Sequence, residues 1–250
     1  VQRYFLSDDG INGTEVKVSG EDFHHIVRVM RMGEGDRIIC VTRDGRSALA
    51  EITEVSNEMV TGTVIEWYLE EKELPVKVTI ASGLPKGDKL EYIIQKGTEL
   101  GAHEFIPFIA ARSVVKWDSK KSSKKTERLQ KIAKEAAEQS HRTMLPSVKE
   151  PMPLKELIAA SAAYDHKLAA FEESAKQGES AVLAAVLKNA EPGQSILFVF
   201  GPEGGLAPEE LDLLIQAEFT PCGLGPRILR TETAPLYALA AVSYQLELSR

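Results

Sequence analysis

The chain has 250 residues, with 30 lysines and arginines against 37 aspartates and glutamates, a formal net charge of −7. That balance excludes a uniformly basic nucleic-acid coat protein. At 43% hydrophobic and 27% charged residues, the chain is too apolar to stay disordered and can fill the core of one large or two modest domains.

The two cysteines, Cys40 and Cys222, belong to no CxxC or Cys/His ligand spacing, which argues against structural zinc or a disulfide framework and for a reducing compartment. The opening VQRYFLSDDG lacks a basic stretch followed by an apolar one, and no segment reaches eighteen uninterrupted apolar residues. The expectation is a soluble cytoplasmic protein with no metal and no membrane partner.

Residues 1–72 read as β-rich. Glu15–Val18, Ile38–Val41, Ala48–Ile52 and Val60–Ile65 read as alternating strands, separated by turn signals of which Asp44-Gly45 is the strongest for a hairpin. Short strands at this spacing suggest a small barrel. One helical insert, Glu21–Arg31, interrupts them behind a possible Ser19 cap. After the acidic stretch Glu70-Glu71-Lys72-Glu73 and Pro75, strands alternate with helices, so the domain boundary is placed at 72/73.

In residues 73–250, Val76, Val78 and Ile80 mark a strand. Asp88 with Glu91 offers a capping-box start to a helix whose Leu90, Ile93, Ile94, Gly97 and Leu100 share a face and whose C′ residue is Gly101. Phe105–Ile109 is the next strand. The tract Ser119–Lys125 reads as a mobile basic loop, and a helix from Thr126 places Leu129, Ile132, Ala133, Ala136, Ala137 and Ser140 on one stripe. Leu168–Phe171, Ile196–Phe200 and Phe219–Leu224 follow as strands, with helices over Ala181–Lys188 and from Pro208. The closing Ala234–Leu248 is apolar nearly all round, so a helix packed on both sides is expected. The whole reads as an α/β domain with a mostly parallel sheet behind a small barrel.

Two glycine-bearing loops stand directly after strands, Gly201-Pro202-Glu203-Gly204-Gly205 and Gly223-Leu224-Gly225-Pro226-Arg227. In parallel sheets, ligands bind at the carboxyl ends of strands, where free backbone N–H groups converge. Neither loop fits GxxxxGK[ST] or GxGxxG, so nucleoside triphosphate and dinucleotide ligands lose their main support, whereas a nucleoside suits a backbone-lined pocket flanked by Leu224, Ile228 and Leu229. The plainer alternative is that these glycines only shape turns. Arg227-Ile228-Leu229-Arg230-Thr231-Glu232-Thr233-Ala234 follows. Thr231 and Thr233 are good helix caps, while Arg230 and Glu232 beside an apolar helix need partners, with each other as one option.

GPEGG and LGPRILRTETA together resemble the signature of the SPOUT, or trefoil-knot, methyltransferases. KGDKLEYIIQKGTELG, EAAEQSHR, QRYF and HHIVRVMRMGEGD are similar to the small-subunit ribosomal RNA uridine N3-methyltransferase family within it, so the resemblance spans essentially the whole chain. It implies a PUA-like RNA-binding barrel over residues 1–72, and over residues 73–250 a SPOUT domain with a deep trefoil knot around S-adenosylmethionine. It also implies a homodimer with the cofactor pocket near the subunit interface. Carried over, the cofactor would be held by Gly201, Gly205, Leu224, Gly225, Ile228, Leu229 and Arg230, with Thr233 and Ala234 at its edge. The substrate would be 16S rRNA of the small ribosomal subunit.

Methylation at N3 of uridine requires loss of the N3 proton and leaves an anion spread over O2 and O4. A cationic donor would favour that anion and a base would accept the proton. Arg230 is the candidate for the first role and Glu232 for the second; Glu138, Gln139 and Arg142 are placed near the uridine. Residues 112–134 hold nine lysines and arginines and two acids, a net of +7, which suits phosphates. The RNA contacts are therefore expected at Arg112, Lys120, Lys121, Lys124, Lys125 and Arg142, with Arg3, His25, Arg28 and Arg31 from the N-terminal part, although one of His24 and His25 could equally be a hydrogen-bonded core residue. The alternatives are a SPOUT enzyme acting on another RNA or on a ribose 2′-hydroxyl, and a non-catalytic RNA-binding assembly factor.

Overall fold

The protein is described from a computed structural model covering residues 1–7, 9–69, 71–115, 117, 119–171 and 181–249. Two compact units emerge: Val1–Glu73 together with Ala137–Leu145, and Leu74–Ala136 together with Pro146–Arg250.

In the first unit, β1 (Gln2–Phe5), β2 (Ile11–Asn12), β3 (Glu15–Ser19), β4 (Arg37–Val41), β5 (Ser47–Val55) and β6 (Met59–Tyr68) form one sheet in the order β1-β4-β5-β6-β3-β2. β1 runs parallel to β4, and the other pairs are antiparallel. The Asp44-Gly45 signal is met: Gly45 takes φ +84, and the hairpin closes with Val41 opposite Ser47. Register shifts between Leu49 and Ala50 and between Ile52 and Glu54 bend β5 against β6, as bulges do. Alternation puts Val16, Val18, Ile38, Cys40, Ala50 and Ile52 in one core with Tyr4, Phe23 and Ile26. The expected helical insert is α1 (Gly20–His24), continued by a π-helical turn over His25–Val29. Ser19 holds the N-cap position but its side chain makes no capping hydrogen bond.

Residues Ala137–Leu145 join this unit through a polar cluster that the sequence did not announce. The Glu73 carboxylate accepts from the Arg142 guanidinium, from the Thr143 N–H at 2.9 Å and from the Met144 N–H at 3.0 Å. The Arg142 carbonyl in turn accepts from Arg3 Nη1 at 3.1 Å. The buried Arg142 guanidinium is tolerable because the Glu73 carboxylate accepts from it, and that of Arg3 donates to the Arg142 carbonyl and the Ser47 hydroxyl.

The second unit is a seven-stranded sheet. β7 (Lys77–Gly83), β8 (Glu104–Ile109), β9 (Ser147–Val148), β10 (Met152–Pro153), β11 (His166–Ala170), β12 (Ser195–Phe200) and β13 (Thr220–Cys222) run in the order β10-β8-β7-β12-β11-β13, with β9 also on β8, and every pair is parallel. Successive side chains go to opposite faces. Val78, Ile80, Phe105, Leu168, Ile196, Phe198 and Phe200 pack on one side beneath α2 (Lys89–Glu99), α3 (Ser119–Gln139), α5 (Ala181–Asn189) and α7 (Thr233–Ser243). Ala81, Ile106, Phe108, Ala169, Leu197 and Val199 pack on the other, beneath α4 (Leu154–Ala160) and α6 (Pro208–Gln216). Helices on both faces explain why these strands read as almost continuous apolar runs.

α2 ends as expected: Gly101 takes φ +93, its N–H bonds the Thr98 carbonyl and the Ala102 N–H bonds the Gly97 carbonyl, which together make a Schellman end. Three expectations are corrected. Asp88 occupies the N-cap of α2 without a side-chain bond, and Glu91, the other half of the expected box, pairs with Arg128 at 2.9 Å. The Ser119–Lys125 tract is the first part of α3 and not a loop; Lys is a good helix former, Ser122 is buried, and Lys125 reaches over the Trp117 ring. The last helix, α7 with a π-helical turn over Tyr244–Leu248, buries Pro235, Ala238, Leu239, Val242 and Leu246 but leaves Tyr237, Tyr244 and Leu248 exposed, so within one chain only a stripe of it is covered. No helix among the described residues is long and apolar enough to cross a membrane.

Candidate functional site

The two glycine loops meet in one cavity of about 750 Å³ at the carboxyl ends of β11, β12 and β13. Its walls include Gly201, Gly205, Leu224, Gly225, Ile228, Leu229, Arg230 and Ala234, eight of the nine positions expected to hold the cofactor; Thr231 lines it where Thr233 does not. Neither threonine caps α7. Its N-cap is Glu232, and the first N–H groups of the helix, from Thr233 and Ala234, are bonded to the Arg230 carbonyl.

The first loop has the conformation it has because particular side chains are missing. A Cβ on Gly201 would lie 2.5 Å from the Gly205 carbonyl carbon and from the Leu206 nitrogen, so the chain can fold back on itself only with glycine there. Gly205 takes φ +70 and donates to the Pro202 carbonyl at 2.8 Å. At the end of β7, Gly83 leaves room for Pro202, whose Cδ would stand 2.6 Å from an added Cβ.

Side chains from elsewhere then fix the loop. The Arg112 guanidinium donates to the Gly204 carbonyl at 2.8 Å. Glu210, buried in the first turn of α6, accepts from the Ala207 N–H at 2.9 Å and from the Ala111 N–H at 2.7 Å, tying the helix start to the segment after β8. Glu203 Oε1 accepts from the Lys86 N–H at 3.0 Å and from Lys89 Nζ at 2.8 Å.

Lys89 Nζ also stands 3.6 Å from Glu232 Oε2. The hydrogen bond to Glu203 raises the Lys89 pKa above its ordinary value despite partial desolvation, and the charges of Glu203 and Glu232 add to it. Burial pushes the Glu203 carboxyl up, but hydrogen bonds from Lys89 and from the backbone outweigh it and hold the group below the usual value. Glu232 Oε2 is buried and accepts no hydrogen bond from any described residue. Cys222, on the cavity wall, is an inert thiol, pushed up to about 12 by burial.

The expected RNA residues separate into two groups. Arg28 and Arg31 are exposed, as are Lys124 and Lys125 on α3. Arg112 is exposed and lines the cavity. His25 is half-buried, with Nδ1 2.9 Å from the Tyr4 hydroxyl, which makes it the hydrogen-bonded member of the pair, while His24 is exposed. Arg3 and Arg142 are corrected: both are about 2–3% exposed and occupied by the Ser47, Glu73 and backbone contacts of the first unit, so neither offers a charge to a phosphate at the surface. Glu138 Oε1 likewise accepts from the Phe5 N–H at 3.4 Å, and Gln139 is exposed. Lys116 and the side chains of Lys120 and Lys121 lie outside the described residues.

Sequence reasoning missed Lys89, the bracing role of Arg112, and Glu203 as a partner. For Lys89 a signal was available, since a lysine at the first position of a helix opposes the macrodipole and calls for nearby carboxylates. Among the described residues no cluster of His, Cys, Asp and Glu could hold a metal ion.

A family model described as the RNA methyltransferase domain matches residues 72–243, and one described as the RNA methyltransferase PUA domain matches residues 18–65. The chain is 56% identical to a ribosomal RNA small subunit methyltransferase E of Bacillus subtilis, over 100% of this chain and 99% of that one. To the Synechocystis protein of the same name it is 35% identical, over 98% of this chain and 78% of the other. A ribosomal RNA small subunit methyltransferase E from Neisseria gonorrhoeae, crystallised bound to S-adenosyl methionine, matches the fold with a TM-score of 0.84 at 27% identity, covering 97% of this chain and 96% of that one.

Proposed function

Since the chain belongs to the RNA methyltransferase family and parallels ribosomal RNA small subunit methyltransferase E from end to end, we propose that it methylates N3 of a uridine in 16S rRNA of the small ribosomal subunit. The observation that carries this reading is the cavity built from two glycine loops at the strand ends. Its fit to S-adenosylmethionine rests on backbone laid bare at Gly201 and Gly205, a volume within the range of small-molecule sites, and apolar cover from Leu224, Ile228 and Leu229. When bound there, the cofactor supplies a methyl group on a sulfonium, an electrophile that needs no activation by the protein.

The chain's own residues then have the uracil to manage. Arg230, exposed on the cavity wall, donates to the O2 or O4 oxygen on which charge gathers as N3 loses its proton. Glu232, whose Oε2 stands 3.6 Å from the cavity-lining Lys89 Nζ, takes that proton, since Oε2 has acceptor capacity that no described donor uses. Glu232→Gln is expected to lower turnover by about 10²-fold and to flatten the acid limb of the pH–rate profile. An unchanged profile would remove Glu232 from this role.

The division of labour belongs to the same proposal: residues 1–72 as the PUA-like RNA-binding part, residues 73–250 apart from Glu73 and Ala137–Leu145, which pack with the first unit, as the catalytic part with its knotted threading, and a cytoplasmic homodimer on whose interface the uncovered Tyr237, Tyr244 and Leu248 would lie. RNA phosphates are drawn by Arg28, Arg31, Arg112 and the basic start of α3. Neutralising Lys120, Lys121, Lys124 and Lys125 together should flatten the salt dependence of RNA binding, by ~0.7 of log–log slope for each phosphate of a single strand that these lysines neutralise. A slope equal to that of the unaltered protein would clear the patch of that role. The reaction is tested by tritiated-methyl transfer to small ribosomal subunits with nucleoside analysis. Label in 3-methyluridine is the expected product; label on a ribose oxygen or in transfer RNA overturns the substrate assignment, and no transfer at all leaves an RNA-binding assembly factor.

A further inference from the structure

α2 opens on a lysine, at the end of a helix where backbone N–H groups already present partial positive charge. The placement is explained by what reaches it. Glu203 arrives from the first glycine loop and accepts a hydrogen bond from Lys89 Nζ at 2.8 Å. Glu232 arrives from the segment between the second loop and α7 and brings Oε2 to 3.6 Å from the same nitrogen. Three stretches distant in sequence therefore converge on one ammonium, which also lines the cavity.

We propose that Lys89 is a positioning residue for methyl transfer, whose ammonium ties the carboxylate of the first glycine loop to that of the segment leading into α7 and so holds the two halves of the cradle in register. The inference rests on reading the cavity as the S-adenosylmethionine site. It adds to that reading a role for a residue outside both glycine loops.

The physical argument is one of local geometry. An ion pair whose members are about 30% exposed contributes little to global stability. It nevertheless sets the separation of the two loops, and a ligand held between them must order whatever the pair leaves loose. Losing the ammonium would leave Glu203 with the Lys86 N–H and would leave the buried Glu232 Oε2 without the only cation within 4 Å of it among the described residues. Glu232 would then be free to leave its place beside residue 89, at the edge of the cavity.

The test uses the full-length protein, S-adenosylmethionine as the calorimetric probe, and the methyl-transfer assay. Lys89→Met keeps the length of the stem and removes the charge. It should raise the Kd for S-adenosylmethionine about tenfold and lower kcat by a similar factor while shifting Tm by no more than about 2 °C. Lys89→Arg, whose planar fork can span two carboxylates, should restore most of both. In a Glu203→Gln background, Lys89→Met should cost less than half of what it costs alone, because the partner through which it acts is already altered.

Wild-type affinity and rate in Lys89→Met would overturn the inference, as would a Lys89→Arg variant as impaired as Lys89→Met, or losses that follow a falling Tm. A wild-type protein that binds no S-adenosylmethionine in the same calorimeter would overturn the cofactor reading itself, an outcome distinct from an unaffected Lys89 variant of a protein that binds it well.

Discussion

Replacing Arg230 with alanine should lower kcat for methyl transfer by roughly 10²–10³-fold while leaving the affinity for S-adenosylmethionine within a few fold. The magnitude is that of losing one donor aimed at developing negative charge, about 2.7–4 kcal/mol. The separation of the two effects follows from the structure. The contribution of Arg230 to the fold is its carbonyl, which accepts from the Thr233 and Ala234 N–H groups at 2.9 and 3.0 Å, and alanine keeps that carbonyl. The guanidinium is exposed, so its removal leaves no buried orphan. Arg230→Lys should recover only part of the rate, because a point charge does not reproduce a planar two-pronged donor. Full turnover in Arg230→Ala, measured with saturating cofactor, would show that the anion is stabilised by another group.

The second large effect is expected at Gly201. Alanine there adds one carbon at 2.5 Å from two backbone atoms and 2.8 Å from a third, Gly205 Cα, contacts that no rotamer change can relieve. The loop must open. Overpacking of this kind costs about 1–3 kcal/mol, and because the displaced atoms belong to the cradle, the loss should appear mainly in cofactor affinity. A decrease of about 100-fold corresponds to the upper part of that range. Gly33 is the natural control: an added Cβ there meets nothing within 4 Å, and its φ lies outside the positive region. Gly33→Ala should therefore bind S-adenosylmethionine normally. Equal affinities for the two variants would mean that the shape of the first loop does not matter to binding.

What could be read in advance followed from how local each signal is. β12 was legible because Ile196–Phe200 is apolar on both faces, and the end of α2 was legible because one glycine makes a Schellman end. β9 and β10, two residues each, exist only through pairing with β8 from a distance, and nothing in Ser147-Val148 or Met152-Pro153 announces that partner. α4 was missed with them. The basic tract was misread because serine and lysine together look like a linker, while the inward-facing Ser122 and the Trp117–Lys125 contact that help hold it helical are tertiary facts.

The site divides along the same line. The cavity's glycine loops are contiguous motifs and could be found in the sequence. Arg112 and Lys89, which brace the first loop, sit far along the chain and are joined to it only in three dimensions, and Glu210, close behind that loop in sequence, finds its distant partner in the Ala111 N–H. Arg3 and Arg142 show the converse. Two arginines in plausible surroundings for RNA spend their donors within the first unit, and their charge count overstated what a nucleic acid could meet.

Because Ala137–Leu145 belongs with Val1–Glu73, the N-terminal unit is not finished when its last contiguous residue has been made. At roughly 5–20 residues per second of synthesis, several seconds pass on the ribosome between the appearance of Glu73 and that of Arg142, Thr143 and Met144, which supply its hydrogen bonds. During that interval a nascent carboxylate and a nascent sheet wait for a segment that arrives only after β7, β8 and most of α3 have been made. The order of birth along the chain and the order of completion of its two parts are therefore different: the first part begun depends, for its closing contacts, on the middle of the message.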